Sequence, residues 1–133
     1  MQAILSDHNC VGQAEAIFRA ARRLRLLDIA PMELLTFADV SLPTDADDEV
    51  VWQLCQDRGY VLITSNRSAK DGSISLEMSI RRLLTSTSLP VVTIGNANRI
   101  LADRTYCDRC AVRLAEIVFD LEDYLGVMRL FLS

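Results

Sequence analysis

Histidine is almost missing from this chain: His8 is the only one among 133 residues. A structural zinc site needs four ligands, usually drawn from cysteine and histidine. Four cysteines are present, and Cys107 and Cys110 form a C-x-x-C pair, but no second such pair exists. Half a zinc site or a redox pair is one reading of Cys107 and Cys110; the favoured one is reduced, buried thiols at the start of a helix. Glycine is sparse too, with five residues, and no glycine-rich turn follows any candidate strand. A phosphate cradle of the P-loop or dinucleotide-binding type is therefore the least favoured of the function classes considered. No apolar run is long enough to span a bilayer. Asp7 and His8 interrupt the first apolar segment before it can act as an export signal, so a cytoplasmic protein with reduced thiols is expected. Cations are outnumbered, 14 Lys and Arg against 18 Asp and Glu, for a net charge of −4. That balance argues against coating nucleic acid through its phosphates. It leaves room for a nuclease, whose metal-binding carboxylates are themselves a source of negative charge.

What is present is an alternation of strand and helix patterns. Ala3 to Ser6 reads as a short apolar strand, and Gly12 to Leu27 as an amphipathic helix with Ile17, Ala20, Leu24 and Leu27 near helical spacing. Met32–Phe37 is a second strand, Ala38 to Asp45 a loop, and Asp47 to Arg58 a helix with acids in its first turn. Gly59 stands where a helix C′ glycine belongs, directly before the strand Tyr60–Thr64. A polar loop over Asn66 to Ser73 leads to a helix over Ile74 to Leu84 and a strand over Leu89–Ile94. A short helix or turn around Ala97–Ala102, a longer helix from Cys107 to Tyr124 and an edge strand over Val127–Leu132 complete the chain. That last segment is also a natural dimer contact. The pattern predicts one α/β domain over residues 1–133, with a mainly parallel sheet of about five strands.

In such a sheet, ligands bind beyond the carboxyl ends of the strands. The first strand runs directly into Asp7, His8 and Asn9, and the strand Tyr60–Thr64 into Ser65, Asn66 and Arg67. A carboxylate at a strand tip can hold a hard cation such as Mg²⁺ or Mn²⁺. The competing role for Asp7 or Asn9 is to cap the next helix. Asp39, Asp45, Asp47, Asp48, Asp71 and Asn96 are further polar residues at strand ends and helix starts. Because the helix at Asp47 enters just before Tyr60–Thr64, its first turn is expected at the edge opposite that strand's tip, unless the preceding loop carries it over. The arginines Arg19, Arg22, Arg23 and Arg25 cluster on the first helix, where a solvated face is the ordinary reading.

The order D-x-N after the first strand, D-E-V-V-W at a helix start and G-Y-V-L-I-T-x-N at the second strong strand resembles the small PIN-like domains, over about the first two-thirds of the chain. The segments SDHNC (Ser6–Cys10) and LTFADV (Leu35–Val40) are similar to short bacterial proteins, cyanobacterial ones among them. The resemblance implies a three-layer α/β/α fold and a Mg²⁺- or Mn²⁺-dependent ribonuclease, in several cases the toxin of a toxin–antitoxin pair. Carried over by position, Asp7 is the first metal carboxylate, and Asp48 the helix-borne acid, with Asp47 as its substitute. Asn66 falls where the family has a third aspartate, which lowers the ligand charge on which a hard cation depends. Asp71 is then the compensating catalytic acid and metal ligand, while Asn9, Arg67 and Lys70 contact substrate, the cations gripping phosphate. His8 is either a proton shuttle or a hydrogen-bonded surface residue. The alternative is a catalytically inactive PIN-like module that binds a protein partner or a second copy of itself. An acyl-carrier-protein malonyltransferase, a label attached to some similar short proteins, is rejected because no serine stands in the G-x-S-x-G setting that chemistry requires.

Overall fold

Residues 1–65 and 73–133 are described by a computed structural model. Five strands, β1 (Gln2–Ser6), β2 (Met32–Leu35), β3 (Val61–Ser65), β4 (Val91–Ile94) and β5 (Arg129–Phe131), form one sheet in the order β2-β1-β3-β4-β5. Every neighbouring pair is parallel. The helices are α1 (Val11–Arg23), α2 (Asp48–Arg58), α3 (Ser73–Leu83), α4 (Ala97–Ala102) and α5 (Arg104–Phe119). Helices cover both faces of the sheet, giving a three-layer α/β/α arrangement, as the resemblance implies, around the parallel sheet that the strand–helix alternation predicts.

The central strands β1, β3 and β4 are mostly apolar because both of their faces are buried. Side chains point alternately to the two layers. Ile4, Val61, Ile63, Val92 and Ile94 face the α1/α5 side, while Leu5, Leu62 and Val91 face the α2/α3 side. Register follows, with Ile4 opposite Val61 and Ile63 opposite Val92. On the first side, α1 and α5 approach through small residues, Ala14, Ala20 and Ala21 against Cys110, Ala111 and Ala115, all buried. On the second, Trp52 fills the space between α2 and the sheet at 2% exposure.

Several boundaries differ from the sequence pattern. The first helix stops at Arg23 rather than Leu27, because Arg25 adopts a left-handed backbone (φ 62°) and Leu26–Asp28 form a separate 3₁₀ turn. The second strand ends at Leu35, and the loop after it contains a 3₁₀ turn over Ala38–Val40. Asp47 is the N-cap of α2 and Asp48 its first residue. The fourth strand begins only after Pro90, which has no N–H to give the ladder. The last long helix is offset toward the N-terminus: it opens at Arg104, where Asp103 caps it, and closes at Phe119 before a 3₁₀ turn over Leu121–Tyr124. The edge strand is shorter than expected and pairs with β4 alone. The loop expected from Asn66 lies outside the described residues, up to Ser73, which opens α3.

The expected displacement of Asp47 and Asp48 to the opposite edge is corrected by the direction of α2. Helix α2 returns the chain to the start of a parallel strand, so it runs against the strand direction. Its last turn lies at the N-terminal edge, where Gln56 exchanges hydrogen bonds with the backbone of Leu89 (2.8 and 3.1 Å) and Gly59 O accepts from Gln2 Nε2 (2.8 Å). Its first turn therefore points toward the edge where β1 and β3 end, and Asp48 shares that edge with Asp7. Among the described residues no helix is long and apolar enough to cross a membrane.

Two glycines carry positive φ, Gly59 at 73° and Gly126 at 82°. A Cβ on Gly59 would meet open space, but on Gly126 it would stand 3.1 Å from the backbone oxygen of Ser86. Gly59→Ala is expected to cost about 1 kcal/mol, the ordinary left-handed penalty, and Gly126→Ala measurably more. Urea midpoints of the two variants check this ranking.

Candidate functional site

The sheet order places a topological switch between β1 and β3: from β1 the chain moves outward to β2, then crosses back to β3 on the other side. Crevices in open α/β sheets form at such points, beyond the strand ends. Asp7 stands at the tip of β1 and Ser65 at the tip of β3, each 9% exposed.

The backbone at Asp7 is held from several directions. Its N–H donates to Ile63 O on β3 (2.9 Å), and its carbonyl accepts from Cys10 N (3.1 Å) and from the Ser6 hydroxyl (3.0 Å). The Cys10 thiol, itself buried, lies 3.7 Å from the same carbonyl and 3.6 Å from Ile63 O. A serine and a cysteine four residues apart thus tie the turn after β1 to the neighbouring strand. Sequence reading missed this clamp, although the i, i+4 spacing of Ser6 and Cys10 around Asp7 was its visible sign. The capping role weighed for Asp7 is not realised: it precedes the 3₁₀ turn His8–Cys10 but makes no side-chain cap hydrogen bond to it.

His8 and Asn9 are exposed on that turn, and the His8 ring lies 6.1 Å from the Phe37 ring at the end of β2. Asp48 is half-buried in the first turn of α2, with Glu49 beside it in an ion pair to Arg82 of α3. Asp47 and Asp45 are exposed. Asn66, Arg67, Lys70 and Asp71 lie outside the described residues. Two other polar residues of the predicted set serve local structure. Asp39 closes a turn by accepting from Thr36 N (2.8 Å) and Thr36 Oγ1 (3.1 Å). Asn96 caps α4 by accepting from Arg99 N (3.1 Å), while its own N–H donates to the Tyr106 hydroxyl (3.2 Å). The structure thus brings Asp7, His8, Asn9 and Asp48 to one edge and assigns Asp39 and Asn96 elsewhere.

Among the described residues no three His, Cys, Asp or Glu side chains are grouped to hold a metal. An all-protein cage of the calcium or zinc type is not built from them. Mg²⁺ is commonly held through only one or two carboxylates, with water and substrate phosphate completing its octahedron. Asp7 and Asp48 at one edge meet that smaller requirement.

None of the four cysteines forms a disulfide, and all four are buried. Burial raises the Cys107 and Cys110 thiols above their ordinary range and pushes Cys55 up to about 12. A neutral thiol is a poor nucleophile and a poor metal ligand.

No family model matches this chain, and neither a curated protein nor a solved structure gives a match to it.

The thiol burial has a pH consequence. Unfolded, a cysteine ionises near 9.0, whereas folded Cys55 holds its proton to about 12. Above pH 9 the unfolded chain therefore binds fewer protons than the folded one, and stability falls as pH rises through that window. Below it the contribution of the group is fully present. Cys55→Ala is expected to lower stability at pH 7 by about 1–2 kcal/mol through the space it vacates, and to flatten the alkaline decline. Urea unfolding of both proteins from pH 7 to pH 11 reads both effects.

Proposed function

We propose that this protein is a Mg²⁺- or Mn²⁺-dependent nuclease of PIN-like type that hydrolyses RNA phosphodiester bonds at the β1/β3 edge of its sheet. The observation that carries the reading is the pairing of Asp7, fixed at the topological switch, with Asp48, brought to the same edge by the direction of α2. Asp7 and Asp48 are the residues that would hold the cation, together with Asp71. A bound cation supplies two things here, a more acidic water and neutralisation of charge on the phosphate.

The protein contributes position. The hydrogen bonds to the Asp7 carbonyl and N–H leave its backbone little freedom, so the carboxylate keeps a fixed approach to the crevice. Asn9 and His8 are exposed beside it and can donate to phosphate oxygens or to water. Of the residues that follow β3 in sequence, Asn66 is assigned to orient water or metal ligands, and Arg67 and Lys70 to the substrate's phosphates. An RNA substrate, rather than DNA, rests on the resemblance alone.

A second reading has its own support. Asn66 carries an amide where a third acid is expected, and two carboxylates alone make a weak cation site. On that reading the domain is inactive and serves as a binding or interaction module for a partner.

Calorimetric titration of Mn²⁺ separates the two. The active reading expects saturable binding that weakens about tenfold or more in Asp7→Asn, together with Mn²⁺-dependent cleavage of a fluorescent RNA oligonucleotide that EDTA abolishes. Absence of binding up to millimolar metal, with no cleavage, would sink the nuclease and leave the interaction module.

A further inference from the structure

Helix α5 is charged against its own dipole. Beyond the Asp103 cap, its first turn contains no acid and opens with Arg104, and its last turn contains no base but carries Glu116, with Asp120 at the C-cap. A helix favours the reverse arrangement, acids in its first turn and bases in its last. Where a sequence departs from a local rule, a compensating contact is the first thing to seek.

Among the described residues no such contact is made within the chain. Thr105, Arg109, Val112, Glu116 and Phe119 recur at spacings of three and four, so they form one stripe along the helix, all within about 40° of a common line. Every one of them is exposed, while the opposite face of α5 is buried against α1 and the sheet. Phe119 is 64% exposed and Val112 39%, unusual for apolar residues on a helix whose other apolar side chains are nearly all covered. Among the described residues, neither Arg109 nor Glu116 forms an ion pair. Arg109 only overhangs the ring of Tyr106, 5.9 Å from its centre.

We propose that this stripe is a two-fold interface, and that its occupant is α5 of a second copy lying antiparallel to the first. A two-fold axis requires a surface complementary to itself. An antiparallel pairing centred between Val112 and Arg113 sets Arg109 of each copy against Glu116 of the other, with Val112 near the axis. The basic half of one helix then meets the acidic half of its partner twice, and each dipole end gains the charge that its own helix withholds.

The pairing also gives Phe119 a seat. Near the N-terminal end of α5, a groove of about 420 Å³ opens between α1 and α4. Ala16, Leu101 and Ala102 contribute apolar lining, and Arg19, Arg104 and the ion pair of Arg23 with Asp108 line it as well, leaving the cations in excess. The segment Phe119–Asp123 joins an exposed aromatic to Asp120, Glu122 and Asp123. Antiparallel packing brings that acidic, apolar segment of one copy toward the cationic, apolar groove of the other. The complementarity is regional as well: residues 11–25 and 97–113 carry eight arginines against three acids in a chain whose net charge is −4. An RNA strand is the weaker candidate for the groove, because single-stranded nucleic acid is gripped through exposed aromatic platforms and Tyr106 is buried.

This inference is independent of the nuclease reading, and its test requires no activity. Sedimentation velocity over a concentration series is expected to show the wild-type chain as a reversible dimer. Arg109→Glu and Glu116→Arg each place like charges in both contacts and should weaken association about tenfold or more. The double variant R109E/E116R restores opposite charges across the axis and should recover dimerisation to near the wild-type level. Both positions are exposed, and far-UV circular dichroism of each variant confirms that the fold is kept. A wild-type monomer at about 0.5 mM would overturn the proposal and leave the stripe to a different partner. Single variants that dimerise as the wild type does, or a double variant that stays monomeric, would overturn it as well.

Discussion

Parallel strands can be joined only by crossovers, and crossovers lay helices over both faces of the sheet. Most of what distinguishes this chain follows from that requirement. Because no face of the central strands meets water, they are mostly apolar, and their apolar side chains divide into two cores by simple alternation. Because every strand runs the same way, all five carboxyl ends reach one edge, and the polar residues after them are gathered there from separated parts of the chain. The same geometry decides the fate of the helix starts. A helix returning to the beginning of a parallel strand must start near the end of one, which is why Asp48 shares an edge with Asp7.

The architecture was readable because its signals are periodic and repeated. Apolar runs at β1, β3 and β4, each followed or preceded by a helical pattern, leave few alternatives to a parallel α/β sheet. Helix ends were less readable. Nothing in the sequence around Arg25 announces a left-handed backbone, since an arginine there has no intrinsic preference for it. The α5 boundary was misplaced because Arg104 to Tyr106 do not look apolar, although Asp103, an N-cap residue type accepting from Tyr106 N (3.2 Å), marked the start. At the edge strand, alternation was correctly read but its length was not, as only three residues pair with β4.

The candidate site was legible as a set of strand tips and much less so as a geometry. Asp7 was found because it interrupts an apolar strand without a glycine turn. Its anchoring by Ser6 and Cys10 was not, because their i, i+4 spacing does not by itself say that a hydroxyl and a thiol act on a backbone carbonyl. The direction of α2 could have been inferred from parallel topology alone, and the expectation that placed Asp47 and Asp48 at the far edge neglected it. Asp39 and Asn96 show the opposite error. Polar residues at turns and helix starts most often satisfy nearby backbone groups, and in both cases that local use prevailed.

The outermost strands are short, four residues in β2 and three in β5, with a charged residue on each, Glu33 and Arg129. An open strand edge is a template on which unrelated chains can add, and length and apolar flatness make it dangerous. Here the template is too short to hold a stranger by its backbone, and it carries a charge that the stranger would have to desolvate. A sheet assembled from such apolar strands is thereby kept from seeding fibrils, at the two borders where the crossover helices cannot protect it.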